Sequence, residues 1–120
     1  MYLNNSNTID AISLHTVLQR MELVLVIDWE DESDEAILLL QDKLSFYLYY
    51  IEGGQLENHY PQAIGKPVCI QILTRNKLSE EVKSLLLTVE KILSDLQIDL
   101  EVKQFDRKNL TFIASLLNGK

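Results

Sequence analysis

The feature of this sequence that most restricts its fold is an apolar repeat of helical period, enclosed by two strand-like segments. Apolar residues recur at i, i+3, i+4 and i+7 through residues 80–96, and Ser79 before them is suited to capping a helix. Residues 68–73 form an apolar run interrupted only by Gln71, whereas residues 98–103 alternate strictly between apolar and polar. Together these patterns predict a strand, a long helix and a second strand.

A second helical pattern begins near Asp31 or Ser33 and ends at the glycine pair Gly53 and Gly54. It carries two apolar stripes, although a helix that lies on one face of a sheet needs only one. The second stripe consists of Leu39, Phe46 and Tyr50, and Leu38 and Tyr49 lie between the two stripes. It predicts contact with another element or another chain. The stripe predicted to meet the sheet consists of Ile37, Leu40, Leu44, Tyr47, Leu48 and Ile51.

The C-terminal residues 106–120 predict a further helix, with Asp106 at its start and Asn118 and Gly119 at its end. Its apolar arc is wide, so we expect it to pack on the domain or on a second chain. The candidates for contacts between two copies of the chain are Leu39, Phe46, Tyr50, Phe112 and Leu116.

Two shorter strand patterns precede the first helix, at residues 8–14 and 22–28, and the polar step between them predicts a hairpin. The apolar run in the second predicts a central strand that is buried on both faces. The element order β-β-α-β-α-β-α predicts an α+β two-layer sandwich, in which two long helices cover one face of a four-stranded mixed sheet, with an additional C-terminal helix. The strand order stays open. We expect a flexible tail over residues 1–7, one domain over 8–105 and the added helix over 106–120.

Charge argues against a nucleic-acid-binding role for this chain. It holds 18 acidic and 11 basic residues, a net charge of −7, whereas affinity for nucleic acid depends on lysines and arginines that neutralise phosphates. Six carboxylates lie between Asp28 and Glu35 with no basic residue among them. Such a run is typical of a solvated loop leading into a helix. It would also attract a basic protein surface.

Residues capable of catalysis occur singly. Cys69 lies within an apolar strand pattern, where cysteine behaves as a small hydrophobic residue, and His15 and His59 are far apart. The acidic run departs from a calcium-binding loop at its sixth and twelfth positions, Ser33 and Leu39. We therefore expect no cofactor, no metal site and no catalytic residues. An enzyme with scattered carboxylates, or a small-ligand site near residues 53–66, is the least favoured alternative.

The sequence offers no pattern for secretion or for membrane insertion. Residues 1–13 are polar and lack a basic-then-apolar signal, and no apolar run reaches the length of a membrane span. A single cysteine fits a reducing compartment. We therefore expect a cytoplasmic protein that does not associate with membranes.

Several segments in order resemble a family of small bacterial proteins whose domain has no assigned function. The resemblance covers residues 8–74, and it implies one compact α/β domain in the bacterial cytoplasm without known catalytic residues. The segments that carry it are Thr8-Ile9-Asp10-Ala11-Ile12, Asp28-Trp29 with the acids after it, Leu38-Leu39-Leu40-Gln41-Asp42-Lys43-Leu44, Tyr47-Leu48, Ile51-Glu52-Gly53-Gly54-Gln55-Leu56, Tyr60-Pro61, and Gly65-Lys66 before Val68-Cys69-Ile70.

Aromatic residues close to the acidic run indicate a binding function. Tryptophan and tyrosine are enriched at the energetic centres of protein interfaces, although these rings could equally complete the core. The leading hypothesis is a non-catalytic domain that binds a basic protein, in its most specific form an immunity-type inhibitor that occludes a toxin or nuclease surface. The alternative is a homo-oligomeric structural or regulatory domain, such as a homodimer. The partner-binding candidates are Trp29, Glu30, Asp31, Glu32, Asp34, Glu35, Tyr49, Tyr50 and Tyr60.

Overall fold

The computed structural model describes residues 8–29, 32–75 and 77–104. The predicted order of four strands and two long helices is confirmed, and one short helix and a 3₁₀ turn are added to it. The predicted tail at residues 1–7 and the predicted helix at residues 106–120 lie outside the described residues. The elements are β1 (Ala11–His15), β2 (Arg20–Ile27), α1 (Asp34–Glu52), α2 (Gln55–His59), a 3₁₀ turn (Pro61–Ala63), β3 (Val68–Thr74), α3 (Glu80–Asp95) and β4 (Ile98–Gln104).

The strands form one mixed sheet in the order β1-β2-β3-β4. The predicted hairpin pairs β1 with β2 antiparallel, while β2, β3 and β4 run parallel to one another. Helices α1 and α3 each connect neighbouring parallel strands, and the right-handed rule for such connections puts both on the same face. β2 is an interior strand whose residues 21–27 are all buried, as its apolar run predicts.

Local capping chemistry explains where the long helices begin and end. The hydroxyl of Ser33 accepts a hydrogen bond from the Ala36 N–H at 3.1 Å, and the hydroxyl of Ser79 accepts one from the Val82 N–H at 3.2 Å. α1 ends at Gly53, and Gly54 has a φ of 86°, a conformation that glycine adopts without steric cost. The chain therefore leaves α1 sharply and enters α2.

The main core lies between the sheet and the two long helices. Four residues of the predicted α1 stripe are buried there, and Leu48 and Ile51 are half-buried. The second stripe belongs to the same core, because Tyr50 is buried and Leu39 and Phe46 pack against the cluster. α2 explains part of the burial of Tyr50, since the Tyr50 ring lies 5.6 Å from the ring of His59 at the end of α2. Of the other candidates for contacts between copies, Phe112 and Leu116 lie outside the described residues.

The other face of the sheet carries a small apolar cluster and an ion-pair network. Val24, Val26 and Leu73 are buried in the cluster. Arg20 bridges two strands through a 2.9 Å contact to Glu22 and a 3.1 Å contact to Glu101. Pairing of the half-buried Arg20 guanidinium with two carboxylates ties β2 to the edge strand β4, on the far side of β3.

Candidate functional site

The solvent side of α1 forms one continuous stripe, which we call the α1 face. Its members follow one another at intervals of three or four residues, which places them on one side of a helix, and all are exposed. Two large apolar side chains stand out on it, Leu38 at 59% and Tyr49 at 76% exposure. The α1 face consists of Glu35, Leu38, Asp42, Ser45, Tyr49 and Glu52.

The α1 face is strongly anionic. It carries three carboxylates, and the exposed Asp34 adds a fourth in the first turn. The only basic residue between Asp34 and Glu52 is Lys43, whose side chain is completely buried. Since no cation of this helix offsets the carboxylates in solvent, α1 presents negative charge along its whole length. Leu38 and Tyr49 lie about 16 Å apart within this field, given the helical rise per residue.

A buried ion pair explains the burial of Lys43. The Lys43 ammonium donates to Asp10 Oδ1 at 2.6 Å, and the Val26 N–H donates to Asp10 Oδ2 at 2.8 Å. Burial raises the pKa of Asp10, and the bonds from Lys43 and Val26 oppose that rise. The Lys43 side chain is therefore directed into the molecule, away from the α1 face.

Tyr47 completes this buried network one helical turn further along α1. Its hydroxyl donates to the Val24 carbonyl at 2.5 Å and accepts from the Asp10 N–H at 2.9 Å. Burial, reinforced by the Asp10 carboxylate, raises the pKa of Tyr47 well above its usual range. The network joins the start of β1, the middle of β2 and α1. It therefore fixes the rotation of α1, and with it the side that α1 presents to solvent.

The acidic run is divided among several tasks. The Asp28 carboxylate pairs with Arg75 Nε at 3.0 Å, which joins the ends of β2 and β3. Glu32 accepts hydrogen bonds from the backbone N–H and the hydroxyl of Ser79 and so supports the start of α3. Asp34 and Glu35 are exposed, whereas residues 30 and 31 lie outside the described residues. Among the described carboxylates of the run, the exposed ones, Asp34 and Glu35, both belong to α1.

The predicted aromatic residues also separate into different environments. Trp29 and Tyr50 are buried, and the Tyr50 hydroxyl lies 2.9 Å from His59 Nδ1. Tyr60 is half-buried against the core. Tyr49 is the predicted ring that lies on the surface. Trp29 and Tyr50 therefore stabilise the interior, and the aromatic contribution to a docking surface comes from Tyr49.

The single cysteine and the histidines occupy structural positions. Cys69 is fully buried, and that burial raises the pKa of its thiol to about 11. His15 Nδ1 accepts a hydrogen bond from the Leu18 N–H at 3.1 Å within the hairpin turn. Among the residues that the structure describes, no three histidine, cysteine or carboxylate side chains lie close enough to hold a metal ion.

A cavity of about 720 Å³ does lie near residues 53–66, where the sequence leaves a small-ligand site open. Glu52 and Glu57 line it, together with Lys66. His59 is not part of its lining and bonds to Tyr50 instead. The cavity therefore lacks the convergence of an imidazole and two carboxylates that acid–base chemistry at this place would use.

Comparison with protein-family models adds a classification to this geometry. A model described as a family of unknown function (DUF6572) matches residues 1–106. The chain belongs to this family. The match includes every described element, from β1 to β4, and both segments of the buried Asp10–Lys43 pair. No curated protein and no solved structure matches the chain.

Two parts of the site could not be identified from sequence patterns alone. A sequence pattern does not place Lys43 in the core, because lysine counts as polar on a helical wheel and its partner Asp10 lies 33 residues away. Arg75 likewise reaches Asp28 only through the parallel pairing of β2 and β3. The signal for the α1 face was present, since Leu38 and Tyr49 lie between the two apolar stripes.

The described residues contain no helix that is long and apolar enough to cross a membrane.

Proposed function

We propose that this protein is a non-catalytic domain that binds a basic protein surface through the α1 face. The observation that carries the proposal is the combination, on one helix, of carboxylates that no exposed cation of α1 offsets with two exposed apolar anchors. Carboxylates alone are common on solvated helices. Leu38 and Tyr49 add apolar anchors to these carboxylates, and large apolar side chains in a charged surround are typical of interface centres.

The two kinds of residue have separate roles in binding. The carboxylates attract a positively charged partner and raise the rate of encounter, an effect that salt weakens. Leu38 and Tyr49 then lose contact with water in pockets of the partner, each worth about 1.5–3 kcal/mol if fully buried. The partner is thus expected to present apolar pockets surrounded by lysine and arginine.

In its most specific form, the proposal is an immunity-type inhibitor of a toxin or nuclease. Enzymes that act on nucleic acid have basic clefts, because they must neutralise phosphates. A helix of 19 residues is about 28 Å long and could cover such a cleft. Inhibition would then follow from steric and electrostatic occlusion, without any reaction on this chain.

A different protein is favoured over a second copy of this chain as the partner at the α1 face. Two such faces brought together would oppose like charges, which costs free energy in an interface. Leu39, Phe46 and Tyr50, the described candidates for contacts between copies, pack against the core of their own domain.

Site-specific photocrosslinking in the cells that produce the protein tests this proposal. A crosslinking amino acid is placed at Leu38 or Tyr49 and, as a control, at Val17, which is 84% exposed in the hairpin turn. We expect both α1 positions to capture the same basic protein and Val17 to capture none of it. The captured protein is then purified and its affinity for the full chain is measured.

Substitutions then separate docking from chance capture. Leu38→Ala and Tyr49→Ala should each weaken binding about tenfold or more, while the exposed control Val17→Ala leaves it unchanged. Both α1 substitutions leave the fold intact, because neither side chain packs in the core. Capture that is equal at all three positions, or affinities that both substitutions leave unchanged, would show that the α1 face is ordinary solvated surface.

A further inference from the structure

A groove runs along the outer edge of β4, beneath α3. At the carboxyl end of the strand it opens into a cavity of about 620 Å³ between Leu86 and Leu87 of α3 and Leu100 and Val102 of β4. At the other end, a cavity of about 370 Å³ continues between α3 and residues 98–101. Glu90 and Leu100 line both cavities, so that together they follow the whole strand. We call this feature the β4 groove.

β4 is an edge strand of the sheet that the described residues form. It pairs with β3 on one side, and no other described strand adjoins it on the other. The outer edge of a seven-residue strand presents backbone N–H and C=O groups from alternate residues, a template for pairing with another chain. Leu87 at 59% and Val102 at 45% exposure flank this edge with apolar surface.

We propose that the β4 groove binds an extended peptide segment of a partner protein, which adds to the sheet as a further strand beside β4. Strand addition of this kind needs an accessible edge for main-chain hydrogen bonds and pockets for alternate side chains. The β4 groove supplies both, because β4 offers the edge and the cavity of about 620 Å³ between α3 and β4 lies beside it. Alternate side chains of the added strand project into that cavity, towards α3.

The charges around the cavity define the chemistry of the peptide more closely. Lys77 and Lys83 line it near Gln104, at the carboxyl end of β4, whereas Glu90 lines it where the groove continues towards the start of the strand. Lys83 lies 3.7 Å from Glu80, whose side chain is 93% exposed, so that this pair is weak and leaves the ammonium available. The favoured peptide therefore has apolar residues at alternate positions and a carboxylate at the end that meets the two lysines.

The β4 groove is independent of the α1 face. The side of α3 that meets α1 carries Val89 and Ile92, which line a crevice together with Leu44 and Leu48 of α1. The groove side carries Leu87 and Glu90. The two surfaces lie on different sides of α3, so the inference goes beyond the proposed function and can fail without it.

Binding is tested on the full chain with an array of seven-residue peptides. The probes alternate valine and serine and carry a glutamate at either end or at neither, and peptides of the same composition in scrambled order serve as controls. We expect the alternating peptides with a terminal glutamate to bind best. In nuclear magnetic resonance spectra, their addition should shift the amide signals of residues 98–104 and of Leu87.

Two further measurements identify strand addition itself. A strand turns every second amide towards its neighbour. Methylating the peptide nitrogens that face β4 should therefore abolish binding, whereas methylating the alternate set should leave binding unchanged. Leu87→Ser and Val102→Ser should each weaken binding about tenfold, while the control Val17→Ser in the exposed hairpin turn leaves it unchanged. Equal binding of both methylated sets, no preference over the scrambled peptides, or self-association through β4 that no peptide displaces would each overturn the proposal.

Discussion

At the residue scale, the orientation of the candidate binding helix depends on one buried lysine. Removing two charges from water costs free energy, and only close pairing with hydrogen bonds to the remaining atoms offsets that cost. Asp10 meets this condition, because its two carboxylate oxygens accept from Lys43 and from the Val26 N–H. Together with the buried apolar stripe of α1, the pair holds the helix in the rotation that turns Leu38 and Tyr49 to solvent.

Replacing Lys43 with methionine should destabilise the protein strongly, because it leaves the Asp10 carboxylate buried without its counter-ion. We expect the free energy of unfolding, measured with urea, to fall by about 3–5 kcal/mol. The exposed control Lys91→Met should change it by less than about 0.5 kcal/mol. A loss below 1 kcal/mol for Lys43→Met would mean that the pair does not hold α1 in place.

The same variant should show a characteristic dependence on pH. Burial already raises the pKa of Asp10, and loss of Lys43 raises it further. An acid whose folded pKa lies above its unfolded value favours the folded state as the pH falls through the folded pKa. The stability deficit of Lys43→Met should therefore be smaller at pH 4 than at pH 7, whereas the double variant Asp10→Asn, Lys43→Met should lack this recovery.

Cys69 should be unreactive in the folded protein. With a pKa near 11 rather than the ordinary 9.0, its thiolate fraction at pH 8 is about a hundredfold lower. We expect a thiol-specific reagent such as dithionitrobenzoate to label the folded protein far more slowly than the urea-unfolded chain. Equal rates would place Cys69 in an accessible environment and restore it as a candidate nucleophile.

At the element scale, features that depend on neighbouring residues were predictable and those that depend on distant ones were not. The helix caps Ser33 and Ser79 and the stop at Gly53 act within one turn, so the sequence shows them directly. The five-residue helix α2 is too short for a periodic pattern, and the sequence did not reveal it. Nor did it reveal that α2 covers Tyr50 of the second apolar stripe.

The acidic run shows the same limit in the candidate site. Its composition is visible in the sequence, but the fate of each carboxylate depends on partners more than forty residues away, such as Arg75 and Ser79. Those contacts arise only when β2 and β3 pair side by side. Asp34 and Glu35, which are placed by the helix alone, are the members whose exposure could be anticipated.

Ser79 links two of these elements, and its substitution should be more costly than that of an ordinary surface serine. Ser79→Ala removes the cap of α3 and a hydrogen-bond partner of Glu32, so we expect a loss of about 1–2 kcal/mol in thermal or urea unfolding. Ser84→Ala, within the same helix and exposed, is the matched control and should be neutral or slightly stabilising. Similar values for both variants would remove Glu32 and Ser79 from the account of how α3 is anchored.

At the scale of the whole molecule, the structure places two different surfaces on one sheet-and-helix scaffold. The α1 face is anionic with two apolar anchors. The β4 groove has apolar walls and two lysines at the carboxyl end of β4, and carboxylates of Glu90, Asp99 and Glu101 towards its other end. Their separation by α3 allows each to be altered without disturbing the other. The family match spans both surfaces, since it runs from residue 1 to residue 106.

The anionic character of the α1 face should govern how fast a partner is bound. Neutralising it with Glu35→Gln, Asp42→Asn and Glu52→Gln removes three charges without touching the core. An equal change of charge elsewhere, Glu81→Gln, Asp95→Asn and Asp99→Asn, provides the matched control. Salt weakens the attraction between the partner and the charges that face it during the encounter. The two variants should therefore differ in the response of their association rates to ionic strength.

The most direct measurement is therefore the association rate constant of the purified basic partner that photocrosslinking identifies. It is recorded for the wild-type chain, the neutralised variant and the control variant between about 0.02 M and 0.5 M salt. We predict that the rate for the wild-type chain and for the control variant falls steeply as salt increases. The variant with a neutralised α1 face should bind more slowly at low salt and depend little on salt. Identical salt dependence for the neutralised variant and the wild-type chain would contradict the claim that the α1 face docks a basic protein.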